Sequence, residues 1–276
     1  MQAMTTLTVA VVQVCATEDR EANLSKIESL IRRAASAGAE LICLPETCYY
    51  RGRFSEASAE TVPGKTTRFI SRLAQELSIY IHGGTLAEIS EESDKKYNTA
   101  FLVDSAGEVV HIYRKTHLFD VVLPGGLEIS ESRSVRAGNK LEPVTFADFT
   151  CGSLICYDLR FPEAFVKLRY AQPETELFFV PSNFTAQTGE AHWESLLRAR
   201  AIEMQCYIVA AAQWGQHPQL NVATHGHSMI VDPWGCVVAE VTGQKDDFAM
   251  AIVSRELIKQ VRARMPVRQH RRIDLY

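Results

Sequence analysis

Thr150-Cys151-Gly152-Ser153-Leu154-Ile155-Cys156-Tyr157-Asp158-Leu159-Arg160-Phe161-Pro162-Glu163 reads as a buried strand that turns into a helix, with a cysteine at the turn. The apolar run around Gly152 predicts a core strand from Cys151 to Cys156. Pro162 suits the first turn of a helix, where its missing N–H leaves nothing unpaired. A thiol between the two sits at the carboxyl end of a strand, beside N–H groups of the following turn that can bind a developing oxyanion. Taken alone, Cys156 reads first as an ordinary buried cysteine, because a reactive thiol needs an electropositive, partly exposed setting.

The flanking segments alternate between strand and helix patterns. Leu7 to Val14 is apolar and β-branched. Leu24, Ile27, Leu30, Ile31, Ala34 and Ala35 then recur at helical spacing, with Asn23 as the expected cap and Gly38 as the left-handed stop. Glu40 to Pro45 predicts a second strand, parallel to the first through a crossover, and Glu46 follows at its carboxyl end, where open α/β sheets bind ligands. Phe69, Ile70, Leu73 and Leu77 mark a second helix and Ile79 to Ala87 a further strand, while Tyr97–Val103 and Val109–Tyr113 flank a turn signal and predict an antiparallel hairpin. Lys115 lies at the end of that hairpin. The stretch from Val121 to Asn139 has no clear period, and a long insert of this kind is usually functional.

Beyond Cys156 the rhythm repeats. A helix from Pro162 to about Tyr170, a strand Glu176–Pro181 and a helix bearing Trp193, Leu197 and Met204 are expected. Strands Tyr207–Gln213, Gly226–Val231, Val237–Val241 and Phe248–Val253 follow, with a last helix Ser254–Arg264 stopped by Pro266. Together with a strand Thr145–Asp148, this order predicts an α/β fold. The expected form is a four-layer αββα sandwich of two mixed sheets flanked by helices, built from residues 1–276 as one domain.

At 46% hydrophobic and 22% charged residues over 276 positions, the chain can bury a large core. A net charge of -4 argues against a nucleic-acid or membrane-surface binder, and no apolar run approaches membrane-spanning length. The seven cysteines are odd in number and lack a Cys-x-x-Cys pair, so neither a disulfide framework nor a zinc ribbon is expected, and the compartment is read as reducing and cytoplasmic. His225-Gly226-His227 would put two side chains on one strand face, but two ligands without a third do not make a metal site. Gly83-Gly84 and Gly125-Gly126 read as turns, without a phosphate-loop pattern. The basic cluster Arg255, Lys259, Arg262, Arg264, Arg268, Arg271 and Arg272 reads as a solvated helix face or a subunit contact.

A cysteine nucleophile needs a proton acceptor, and no histidine is singled out by its local sequence. Glu46 and Lys115 each stand just beyond an expected strand end or hairpin edge. Singly they read as a solvated loop carboxylate and a surface lysine. If they converge on Cys156, Glu46 is suited to accept the thiol proton and later deliver it to a leaving amine, while Lys115 stabilises the oxyanion. A second carboxylate beside the lysine would keep it protonated despite burial.

Leu44-Pro45-Glu46, Tyr113-Arg114-Lys115-Thr116-His117-Leu118-Phe119-Asp120 and Cys156-Tyr157-Asp158-Leu159-Arg160-Phe161-Pro162-Glu163 together resemble the nitrilase superfamily of carbon–nitrogen hydrolases, and the resemblance covers nearly the whole chain. It implies a catalytic set of Glu46, Lys115 and Cys156, a supporting glutamate at Glu131 or the nearby Glu128, and a subunit that forms a homodimer or higher oligomer. The tail from about residue 265 to 276 is expected at a dimer contact. No cofactor or metal is implied. Gly189-Glu190-Ala191-His192-Trp193-Glu194, Leu197-Arg198-Ala199-Arg200-Ala201-Ile202-Glu203 and His225-Gly226-His227-Ser228 look like the deaminated-glutathione amidase subfamily, implying hydrolysis of a small acidic amide to α-ketoglutarate and cysteinylglycine. Related activities on the same scaffold are those of an ω-amidase or an N-carbamoyl-amide hydrolase, and a non-catalytic binding scaffold is the reading from another class. Arg160 is the candidate for a substrate carboxylate, because a guanidinium offers bidentate geometry. Tyr157, Phe184 and Thr185 resemble the family's pocket wall. Thr47-Cys48-Tyr49-Tyr50 and Asn183 depart from the subfamily pattern near the expected pocket mouth.

Overall fold

Along the first strand, Leu7, Val9 and Val11 point to one side and Ala10, Val12 and Val14 to the other, and the two sets enter different hydrophobic cores. That alternation builds the molecule, because a strand buried on both faces needs an apolar residue at every position. The computed structural model describes residues 5–275 apart from Glu56, Pro124, Gln172, Pro173, Leu220, Asn221 and Ile273. The first half runs β1 (Thr6–Gln13), α1 (Arg20–Ser36), β2 (Leu41–Cys43), α2 (Lys65–Leu77), β3 (Tyr80–Glu88), β4 (Tyr97–Val103) and β5 (Val109–Arg114), followed by a small hairpin, β6 (Asp120–Val122) and β7 (Glu128–Ser130). The second half runs β8 (Val144–Phe146), β9 (Phe149–Ser153), α3 (Pro162–Arg169), β10 (Leu177–Phe179), α4 (Ala186–Met204), β11 (Tyr207–Ala210), β12 (Trp214–Gln216), β13 (Ala223–His225), β14 (Met229–Val231), β15 (Val237–Glu240), β16 (Asp247–Ser254), α5 (Arg255–Arg264) and α6 (Val267–His270).

Two six-stranded sheets result, ordered β16-β1-β2-β3-β4-β5 and β15-β14-β11-β10-β9-β8. β1, β2 and β3 are parallel, as are β9, β10 and β11, while the outer strands pair antiparallel, so both sheets are mixed as expected. Between the sheets lie Val9, Leu41, Phe149, Leu177, Phe179 and Val209. On the far face of the first sheet Ile42 and Ile81 pack against Ile27 and Leu30 of α1 and Ile70 and Leu73 of α2. On the far face of the second, Phe178 and Ile208 pack against Phe165 of α3 and Trp193 and Leu197 of α4. The four layers are therefore helix, sheet, sheet and helix.

Several local readings are corrected. Asp19, not Asn23, caps α1; Asn23 lies inside the helix, where its amide bonds Thr17 and the Tyr49 carbonyl and so holds the loop after Glu46. Gly83 and Gly84 are not a turn but part of β3, at a register irregularity between His82 and Thr85. The insert after Lys115 carries the β6–β7 hairpin, whose turn includes Gly125 and Gly126. His225 and His227 do not share a strand face: Gly226 and His227 both take positive φ, and the two rings stack at 4.5 Å. The basic cluster is in part engaged in ion pairs, Arg255 with Glu176 and Arg262 and Arg268 with Glu174. Ile273 and Tyr276 of the tail lie outside the described residues, as do Met1 to Met4.

His82 sits between the sheets, its ring tilted at 32° to that of Phe179 with the centroids 4.5 Å apart. Burial, and to a lesser degree His111, push its pKa down to about 3, and burial pushes His111 down to about 4. Both folded values lie below the unfolded one, so the unfolded chain binds more protons and stability falls as pH drops from about 6.5 towards 4. Each histidine contributes a slope of up to about 1.4 kcal/mol per pH unit in that window. The urea midpoint should fall between pH 7 and pH 5; an unchanged midpoint would contradict the assignment of both rings as neutral.

Candidate active site

Glu46 follows β2 at the carboxyl end of the first sheet's parallel strands, and its backbone is fixed from three sides. Leu44 N–H donates to the His82 carbonyl at 3.0 Å, Thr85 N–H to the Pro45 carbonyl at 3.3 Å, and Thr47 N–H to Thr85 Oγ1 at 2.9 Å. β3 approaches so closely here that a Cβ on Gly84, whose φ is +61°, would lie 2.0 Å from the Pro45 oxygen. Only glycine fits that contact. From the second half of the chain, Gln213 Nε2 donates to the Glu46 carbonyl at 3.0 Å.

Lys115 lies just past β5, with its N–H on the Asn98 carbonyl. Its Nζ is 3.1 Å from Glu46 Oε1 and 2.9 Å from Glu131 Oε2. Glu131 opens a single helical turn, Glu131–Arg133, and its Oε2 also accepts the Phe119 N–H at 2.7 Å. Glu128 does not reach the ammonium; it is exposed and pairs with Arg133. Asn98 Nδ2 donates to both Glu46 and Glu131, so one amide spaces the two carboxylates. Burial works against the charge on Lys115, but Glu131 and Glu46 outweigh it and hold the ammonium well above its usual range.

The strand leading to Cys156 ends at Ser153, earlier than expected, and Cys156 instead opens a 3₁₀ turn, Cys156–Arg160, with φ +49°. Its N–H donates to the Pro181 carbonyl at 3.0 Å. Burial and then Glu46 raise the thiol pKa well above the usual value, with Lys115 and the Asn183 N–H acting in the opposite direction. The turn is tied to the lysine loop by Asp158. This fully buried carboxylate accepts from Ile155 N–H, Tyr113 O–H, Thr116 Oγ1, His117 N–H and His117 Nδ1, at 2.7–3.1 Å. Asp158→Asn turns an NH2 group against these donors. It should lower stability by on the order of 2 kcal/mol or more and slow turnover by about tenfold. Denaturant midpoints and kcat check this, and a neutral substitution would show that the clamp is dispensable.

Glu46, Lys115, Glu131 and Cys156 all open into one cavity of about 490 Å³, and Tyr157, Arg160, Phe184 and Thr185 line it as well. The Arg160 guanidinium lies over the Phe184 ring at 5.4 Å and the Tyr157 ring at 5.9 Å, with Nη1 3.2 Å from His192 Nδ1. Thr185 caps α4 through Thr188 N–H. Sequence reasoning missed Asn98, Asp158 and Gln213. The available signal was a polar residue inside an apolar strand or at its end, which becomes specific only when the partner across the fold is known.

The sequence model of the family described as Carbon-nitrogen hydrolase matches residues 8–263. The chain belongs to the carbon-nitrogen hydrolase family. This carbon-nitrogen hydrolase is 43% identical over 275 residues to the deaminated glutathione amidase of Homo sapiens, covering 97% of this chain and 83% of that protein. It is 41% identical over 268 residues to the deaminated glutathione amidase of Synechocystis sp., covering 95% and 97% respectively. The crystal structure of the C. elegans NitFhit protein superposes with a TM-score of 0.90 at 36% identity, over 100% of this chain and 67% of that one. This hydrolase thus shares its fold with a solved structure over its whole length.

Proposed function

We propose that this carbon-nitrogen hydrolase is an amidase that works through a thioester on Cys156, with deaminated glutathione as its substrate. The observation that carries the reading is the Lys115 ammonium held between Glu46 and Glu131 in the cavity that contains the Cys156 thiol. A buried thiol with a raised pKa is protonated at rest, so attack needs a proton acceptor, and Glu46 is the carboxylate beside it.

As sulfur adds to the amide carbon, its proton passes to Glu46. The oxyanion faces Lys115 and the Tyr157 N–H, which stands at the start of a helical turn where N–H groups lack an intrahelical acceptor. Glu46 returns the proton to the amide nitrogen, the C–N bond breaks and cysteinylglycine leaves as the amine. Water then gives a proton to Glu46 while its oxygen adds to the thioester carbon. The C–S bond breaks, sulfur takes the proton back, and α-ketoglutarate is released. Glu131 keeps Lys115 charged throughout. Arg160 receives a substrate carboxylate between the Tyr157 and Phe184 rings, and Thr185 completes that wall.

In this reading residues 1–276 act as one catalytic domain in the cytoplasm, and the tail from about residue 265 contributes to a homodimer. The relatives named above support the substrate. Turnover of deaminated glutathione compared with α-ketoglutaramate tests it: kcat/KM should favour the former by tenfold or more, about the difference one further charge-assisted hydrogen bond makes. The reverse preference would assign an ω-amidase.

A further inference from the structure

Arg51 is 1% exposed, yet among the described residues it forms no ion pair. Its guanidinium donates to the Trp214 carbonyl at 3.1 Å, to Thr224 Oγ1 at 2.8 Å, to Asn183 Oδ1 at 3.0 Å and, more weakly, to Cys15 Sγ at 4.0 Å, and its buried Nε has no hydrogen-bond partner. A buried cation with no carboxylate in direct contact is unusual, because burial removes the water that would otherwise stabilise it; Glu46 acts on it only from beyond ion-pair distance. The network around it spans the loop after Glu46, the β12–β13 hairpin and the segment after β10.

Arginine offers donors only, so the Asn183 oxygen must face Arg51 and its NH2 must turn the other way. Among the described residues that NH2 has no acceptor, while Asn183 lines the cavity and its backbone N–H contacts the Cys156 sulfur. A donor of fixed orientation thus lies within one residue of whatever acyl group the sulfur carries. Because a buried positive charge stands directly behind it, an anionic acceptor is favoured over a neutral one.

We infer that Asn183 is a specificity residue of this site, whose Nδ2 donates to a carboxylate or keto oxygen on the acyl part of the substrate, and that Arg51 is the positioning residue that locks its amide. The inference rests on the thioester reading of Cys156 given above for its kinetic arm only.

Two measurements test it. In the kinetic arm, kcat/KM is compared for α-ketoglutaramate and for butyramide, a neutral amide without the keto acid. Asn183→Ala should lower the ratio of the two by about tenfold to a hundredfold, chiefly through KM for the acidic amide. Equal losses on both amides would overturn the inference, since a group that merely supports Cys156 moves both alike. Asn183→Asp, nearly the same shape with an acceptor in place of the donor, should lower the ratio at least as far. In the binding arm, α-ketoglutarate protects Cys156 from alkylation by iodoacetamide, followed by mass spectrometry at that residue. Asn183→Ala should need at least tenfold more α-ketoglutarate for half protection, and an unchanged requirement would overturn the inference. This arm needs no turnover, so failure of the amidase reading and failure of this one are distinguishable. Arg51→Gln should add little to Asn183→Ala in either arm if it acts through that amide, and independent, additive losses would remove Arg51 from the assignment. Asn183→Ala leaves the Arg51 contacts to Trp214 and Thr224 in place, so the test survives if Arg51→Gln fails to fold.

Discussion

Cys156→Ala is expected to abolish amide hydrolysis, by about 10⁴-fold or more, because in the proposed mechanism every covalent step passes through that sulfur. The fold should survive. Burial and Glu46 keep the thiol neutral, so the substitution removes no charge, and a free buried cysteine packs as a small apolar side chain. The hydrogen bond from Cys156 N–H to Pro181 belongs to the backbone and remains. The φ of +49° is the one feature the variant keeps at equal strain, since alanine and cysteine are alike in that region. Steady-state turnover and the unfolding midpoint measured together decide the point. Activity within tenfold of the parent would exclude the thioester route.

Lys115→Met should lower kcat by about 10²–10³-fold, the usual loss when a preorganised charge facing an oxyanion is removed. The side chain is 2% exposed and lies between two carboxylates, so its loss leaves Glu46 and Glu131 facing one another without a cation. Because Glu46 is the proposed general base, the pH–rate profile should change shape as well as fall. A loss under tenfold with an unchanged profile would remove Lys115 from the chemistry. Glu131→Gln separates the two effects, because it leaves the cation in place and takes away only one of its counter-charges.

Much of the architecture was legible because strand and helix periods report burial directly. Leu7, Val9 and Val11 against Ala10 and Val12 leave the first strand no polar face, and in the structure one face meets the second sheet and the other the helices. Boundaries were less legible. Asn23 was read as a cap because asparagine commonly is one, whereas its amide is spent on Thr17 and Tyr49, residues whose proximity no local pattern announces. Gly84 looked like turn chemistry for a similar reason: its positive φ serves a close approach of β3 to Pro45 rather than a change of chain direction.

The candidate site divides in the same way. By themselves the residues determined the alternation of layers and the placing of Glu46, Lys115 and Cys156 at element ends, because hydrophobic period and strand termini are local properties. Tertiary structure alone decided that the three side chains share one cavity, that Glu131 and not Glu128 reaches the ammonium, and that Asp158 joins the cysteine turn to the lysine loop. It also placed Arg51 behind Asn183, among the described residues without a direct ion pair. The physical reason is range. Hydrophobic patterning is written in neighbours three or four positions apart, whereas a buried charge takes its meaning from whatever carboxylate or amide the fold sets within about 3 Å of it, at any distance along the chain.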